Sequence, residues 1–97
     1  MPGDYALPGG LLLLRRDLTL SPVEIAANTT AEQLVACAGA RPGDLVTVNK
    51  PTAQAGIGLV GARASAVDEI GLTFANVTGG ALTPTAAEVY LVSLHRG

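Results

Sequence analysis

The second half of the chain alternates hydrophobic positions with polar or small ones. The alternation runs through residues 70–75, where Ile, Leu and Phe are separated by Gly and Thr, and through residues 88–94. A period of two predicts strands that bury one face. Leu45–Asn49 shows the same pattern over a shorter stretch. Residues 57–64 predict a further strand with a bulge, because glycines interrupt it.

Turn signals separate these strands. Residues 41–44 and 67–69 predict turns, and residues 50–56 predict a loop. The Gly-, Thr- and Pro-rich residues 76–85 predict a long connection that crosses between two sheets. The sequence therefore predicts an all-β fold, a small β-sandwich of jelly-roll or Ig-like type with about six to eight strands.

Residues 21–38 leave two interpretations open. Ser21-Pro22-Val23-Glu24 has the form of a helix capping box, and residues 30–33 repeat it. Each helix would have only about two turns, which is marginal without packing. Against helices, Leu18 and Leu20 alternate with Thr19, and the alternation resumes over residues 33–38. We favour strands, with short helices as the alternative.

The first residues predict an extended N-terminal arm. Residues 1–10 are rich in Pro and Gly, and four leucines and two arginines follow them. We divide the chain into an arm, 1–16, and a sandwich domain, 17–97. An isolated arm should not expose such leucines to water, so it would pair with a neighbouring subunit; the alternative is an ordinary first strand. The candidate interface residues here are Leu11, Leu12, Leu13, Leu14, Arg15 and Arg16.

Composition narrows the possible partners of this 97-residue chain. Hydrophobic residues make up 48%, which argues against disorder. Charged residues make up 14%, against about 25% in ordinary domains, which suggests that a partner covers part of the surface. A net charge of -2 without a basic run predicts no nucleic-acid partner. No stretch approaches the ~20 apolar residues of a membrane span, so no membrane partner is expected.

Few residues could carry chemistry. His95 lies near the end of the chain and is expected to be a solvated side chain, while Cys37 is expected to be a small buried residue. The lone cysteine and the lack of a signal peptide pattern suggest the cytosol. Asp68 and Glu69 suit a turn. Residues 56–61 match G-x-G-x-x-G in letters only, because a loop precedes them and a strand follows. We expect no enzyme, no cofactor and no metal.

Four segments carry a family resemblance: residues 44–52, 54–63, 72–79 and 82–90. They resemble small proteins encoded among the virion genes of tailed bacteriophages, and capsid decoration (cement) proteins are the nearest in size and style. The resemblance implies a β-sandwich that assembles as a homo-oligomer, with a trimer favoured over a dimer. It also implies binding to the major capsid protein on the outside of an icosahedral head. The location implied is the virion, assembled in the host bacterial cytoplasm.

The loop at 50–56 is a second candidate contact. Pro51 stiffens it and Gly56 lets a backbone approach closely, so Lys50, Pro51 and Gln54 join the candidate interface residues. The alternative is a plain turn within the sandwich.

Three other functions remain open. A tail, fibre or baseplate component of the virion would have the same sandwich. A carbohydrate-binding module is less favoured, because Tyr5 and Tyr90 are too few to form an aromatic platform. An enzyme is the weakest alternative, since no catalytic constellation is evident.

Overall fold

The computed structural model describes residues 4–6 and 11–97. Within these ranges the chain forms strands and no helix, and therefore no helix that could span a membrane. The strands are β1 (Tyr5–Ala6), β2 (Leu12–Leu20), β3 (Thr29–Ala36), β4 (Leu45–Asn49), β5 (Ile57–Ala66), β6 (Glu69–Asn76) and β7 (Glu88–Arg96).

The strands form two antiparallel sheets that pack together as a β-sandwich. One sheet has the order β1-β2-β7-β4 and the other β3-β6-β5. The two-residue β1 pairs only with the start of β2. The connection from β6 to β7 crosses from one sheet to the other, as residues 76–85 predicted. The all-β sandwich prediction is confirmed.

The core lies between the sheets and follows the period-two pattern. Phe74 of β6 meets Tyr90 of β7 edge to face, with ring centroids 6.4 Å apart, and both side chains are fully buried. Such pairs add to the stabilisation that burial of their area provides. The other buried hydrophobic residues are Leu14, Ile25, Cys37, Ala40, Ile57, Ile70, Leu72, Val92 and Leu94.

Residues 21–38 contain a strand and an extended segment, with no helix. Ile25 exchanges two backbone hydrogen bonds with Leu82, at 2.8 and 3.0 Å, and its side chain is fully buried. Residues 29–36 form β3 and pair without interruption with β6. Burial of a period-two face against the other sheet outweighs the local capping signals, because two-turn helices gain little by themselves.

The predicted boundary between arm and sandwich at residue 16 is wrong. β2 runs unbroken through that position and pairs with β7 along its whole length. The alternation of inner and outer positions continues from Leu12 to Leu20, so the leucines belong to an ordinary first strand, as the alternative interpretation held. Residues 1–3 and 7–10 of the predicted arm lie outside the described residues.

Gly61 lies at a bulge in β5, as the sequence predicted. The pairing of β5 with β6 shifts between Leu59 and Gly61, and again between Ala64 and Ala66. β5 also extends to Ala66, two residues beyond the predicted end. Such shifts interrupt the regular row of backbone groups along β5, which matters for the edge that this strand presents.

Candidate interaction surface

The two lateral sides of the sandwich differ. On one side β4 and β5 lie at the sheet edges and contact each other. We call this the closed side. On the other side β2 and β3 flank a cleft of about 270 Å³. We call this the open side.

The cleft of the open side is largely apolar. Its floor includes Leu72 and Phe74 of β6, and its walls include Leu20, Pro22 and Val35. These side chains come from both sheets, because the inner positions of β2, β3 and β6 converge there. The cleft therefore reaches the core from the outside of the molecule.

The amide side chain of Gln33 in β3 holds the segment that comes after β2 in the chain. Gln33 Nε2 donates to Val23 O at 3.0 Å, and Val23 N donates to Gln33 Oε1 at 2.9 Å. This side chain replaces the backbone pairing that a neighbouring strand would supply. The side chains of Val23 and Leu34 remain 66% and 56% exposed, so the open side has an aliphatic rim.

The predicted interface leucines fall into three environments. Leu11 is exposed, and Leu12 and Leu13 are half-buried. Leu14 is only 7% exposed and packs in the core. The prediction that Leu14 contacts a partner is therefore wrong, because position 14 faces inward between Leu12 and Arg16 in the alternation of β2.

The two arginines after the leucines also differ. Arg15 is exposed and lies 3.3 Å from Asp17 Oδ1. Arg16 points inward: its Nε donates to Ala38 O at 2.7 Å, and its guanidinium pairs with Asp4. That hydrogen bond from Arg16 holds the pKa of Asp4 below its usual range. The guanidinium of Arg16 thus binds residues of its own chain, and it is not available to a partner in this arrangement.

The loop at 50–56 is fastened to the start of β7. Lys50 Nζ lies 3.0 Å from Glu88 Oε1 and 2.9 Å from Thr52 O. The hydrogen bond from Thr52 and then the one from Lys50 lower the pKa of Glu88.

Gln54 fastens the same loop to the β6–β7 connection. Its Nε2 donates to Thr83 O at 2.9 Å, and its Oε1 accepts from Thr85 N at 3.0 Å. Pro51 alone among the three predicted loop contacts is exposed. Lys50 and Gln54 hold a turn within the sandwich, which was the alternative interpretation of this loop.

Most positive charge is neutralised within the chain. Five of its six Lys and Arg residues form ion pairs with carboxylates of the described residues. Among these ion pairs, the one between Arg96 and Asp44 has the most buried carboxylate, because the Asp44 side chain is 2% exposed. The hydrogen bond from Arg96 lowers the pKa of Asp44. The surface left for a partner is therefore aliphatic and polar, with little free positive charge.

The residues considered for chemistry have structural roles. Cys37 is 1% exposed, and burial raises the pKa of its thiol. Asp68 lies in the predicted turn, where its Oδ1 accepts from Gly39 N at 2.9 Å. His95 is half-buried on the outer face of β7, opposite Leu13 and Leu45, so it belongs to a strand and not to a polar tail. Across residues 4–6 and 11–97, no group of three or more potential metal ligands occurs.

Sequence reasoning missed the central role of Asn76. Its Nδ2 donates to Ile25 O at 3.1 Å and to Gly80 O at 2.9 Å, while its Oδ1 accepts from Thr78 N at 2.9 Å. The side chain is 1% exposed. It joins the segment after β2 to the β6–β7 connection. The available signal was an Asn at the end of a strand, before a Val-Thr-Gly-Gly turn.

Comparison of the chain with protein-family models, with curated proteins and with solved structures gives no match.

Proposed function

We propose that this chain is a structural protein of a tailed-bacteriophage virion, a capsid decoration (cement) protein. It binds the outside of the icosahedral head as a homo-oligomer and stabilises contacts between capsid subunits. A protein that binds only the assembled shell favours assembly over dissociation. Many copies around a shell multiply a modest contact energy. The proposal rests on the resemblance of residues 44–90 and on the surface described below.

The observation that carries the proposal is the outer face of the four-stranded sheet. Leu45 is 72% exposed, and Val89 and Leu91 are 44% and 36% exposed on the same face. The charged residues of this face, Arg15 and Asp17, are paired with each other. A sheet face with exposed aliphatic side chains and paired charges suits docking on another protein better than it suits binding an ion or nucleic acid.

The alternatives from the sequence differ in how well the geometry supports them. A tail, fibre or baseplate component would use the same face, so only its place in the particle would differ. A carbohydrate-binding module needs exposed aromatic rings. Phe74 and Tyr90 are both fully buried, which leaves those two rings unable to stack on a sugar.

Attachment to particles tests the proposal. Leu45→Glu and Leu91→Glu place charge on the outer face and should abolish binding of the purified chain to shells that lack it. Val67→Glu is the matched control, because Val67 is 59% exposed in the β5–β6 turn, and it should bind like the unaltered chain. Imaging of the particles should show added density over the head. Density confined to the tail, or equal binding by all variants, contradicts the proposal.

A further inference from the structure

The free edges of a sandwich are places where another strand can add, and proteins usually block them. Three of the four edges here are blocked. β4 is only five residues long and contacts β5. β5 carries two bulges. β2 is paired with β1 at its start, and it carries Arg15 and Asp17 further along.

Among the described residues, no backbone group of another segment pairs with the edge of β3, and the segment after β2 reaches this strand through the side chain of Gln33. β3 pairs with β6 over eight consecutive residues without a bulge. Its sequence, Thr-Thr-Ala-Glu-Gln-Leu-Val-Ala, contains no Pro and no Lys. Its one charge, Glu32, is held by Arg63 at 2.6 and 2.8 Å across the outer face of β6, where Gly71 leaves room for the pair. β3 therefore presents a regular, nearly neutral edge to solvent.

We propose that β3 is the contact between two copies of this chain, which join edge to edge about a twofold axis and form one continuous six-stranded sheet. The occupant of the edge is then the β3 strand of a second copy. A self-complementary interface of this kind is the usual form of a homodimer.

Physical constraints select the register of that pairing. In a continuous sheet, a side chain that points outward must lie opposite another that points outward. This is met only when a residue of one copy lies directly opposite the same residue of the other copy, so that the twofold axis passes between these two. The two longest pairings place the axis at Glu32 or at Gln33. The first puts two Glu32 carboxylates opposite each other, which is unfavourable. The axis therefore passes between the two Gln33 residues.

This register makes a specific pair on the outer face. Leu34 of one copy lies opposite Glu32 of the other, and Val35 lies opposite Ala31 on the inner face. Leu34 is 56% exposed in the single chain, and the partner strand would cover part of it. The pairing also brings the clefts of the two copies together, because each cleft lies beside β3.

The contact rests on the self-association in the proposed function and names its geometry. It favours a dimer over the trimer that the resemblance implies. Its test uses the purified chain alone, whereas the test of shell binding uses particles. Failure of one is therefore distinguishable from failure of the other.

Sedimentation of three variants tests the proposal. The unaltered chain should form dimers in a concentration-dependent manner. Leu34→Glu places a carboxylate opposite Glu32 at two symmetric positions and should raise the dimer dissociation constant by about tenfold or more. Leu34→Lys places an ammonium group there and should retain the dimer.

Val67→Glu is the matched control, since it adds the same charge at an exposed aliphatic residue in the β5–β6 turn, away from β3 and from the outer face of the four-stranded sheet, and it should also retain the dimer. Circular dichroism should show the same folded spectrum for all variants. A monomer at every concentration of the unaltered chain overturns the proposal, as does a dimer that Leu34→Glu leaves intact. A trimer, or equal weakening by Leu34→Glu and Leu34→Lys, overturns the twofold register.

Discussion

Strand β4 on the closed side and the segment after β2 on the open side are held by different kinds of contact. On the closed side, ion pairs fasten β4 at both ends: Asp44 with Arg96 before the strand, and Lys50 with Glu88 after it. On the open side, the segment after β2 is held by the uncharged amides of Gln33 and Asn76. The difference indicates that a short edge strand is secured by charge, while the segment that lines the cleft is secured by neutral hydrogen bonds.

The largest effect is expected from the floor of the open cleft. Phe74→Ala removes a fully buried ring that packs against Tyr90. It should lower the free energy of unfolding by about 3–5 kcal/mol, because it leaves a cavity next to an existing cleft. Denaturant titration measures the change. A loss below about 1 kcal/mol would show that the sheets close over the gap and that the cleft is not a rigid feature.

Asn76→Ala should have the next largest effect. It removes the donors to Ile25 O and Gly80 O and the acceptor for Thr78 N, and it leaves buried groups without partners. We expect a loss of roughly 2–3 kcal/mol. Since no charge is involved, the loss should be the same at each pH in a series of denaturant titrations. A loss that varies strongly with pH would contradict the assignment of this region to neutral contacts.

The closed side should instead respond to acid. The hydrogen bond from Arg96 lowers the pKa of Asp44 in the folded chain. The stability that this group contributes is present above the unfolded pKa, about 4, and is lost as pH falls through the lower folded value.

Asp44→Asn should therefore lower stability at neutral pH and make the acid loss shallower. Parallel titrations of the unaltered chain, Asp44→Asn and Asn76→Ala compare the two sides. Parallel pH profiles for the two variants would remove the distinction between them.

The smallest effect is expected at Tyr90, between the two sides. The Tyr90 hydroxyl is buried without a hydrogen-bond partner in the described part of the chain, and burial raises the pKa of Tyr90. Tyr90→Phe removes the uncompensated group and keeps the ring. Thermal unfolding should show a gain of about 1 kcal/mol. A loss of similar size would show that the hydroxyl has a partner in solution.

Strands are predicted well from the sequence where hydrophobic and polar residues alternate strictly, because one face of such a strand is buried. Leu45–Asn49 forms with the predicted bounds, and the bulge at Gly61 lies where glycine interrupts the pattern. The boundary at residue 16 fails because a single inward arginine, Arg16, hides the alternation of β2. Its role becomes evident only when Ala38 and Asp4 lie beside it in space.

Contacts between distant segments are the part that the sequence could not predict. Lys50 and Glu88 are 38 positions apart and meet only because β4 and β7 are neighbours. Asn76 and Ile25 are 51 positions apart. The unprotected edge of β3 likewise depends on strand order, since the same sequence would be covered if it lay in the middle of a sheet.

Amide hydrogen exchange along the strands, at low and high protein concentration, tests the central claim most directly. In the single chain, alternate β3 amides face solvent and should exchange quickly. The account predicts that these amides become protected as concentration rises, while the edges of β4 and β5 do not change. Unchanged exchange in β3, or protection that appears first on the closed side, would contradict it.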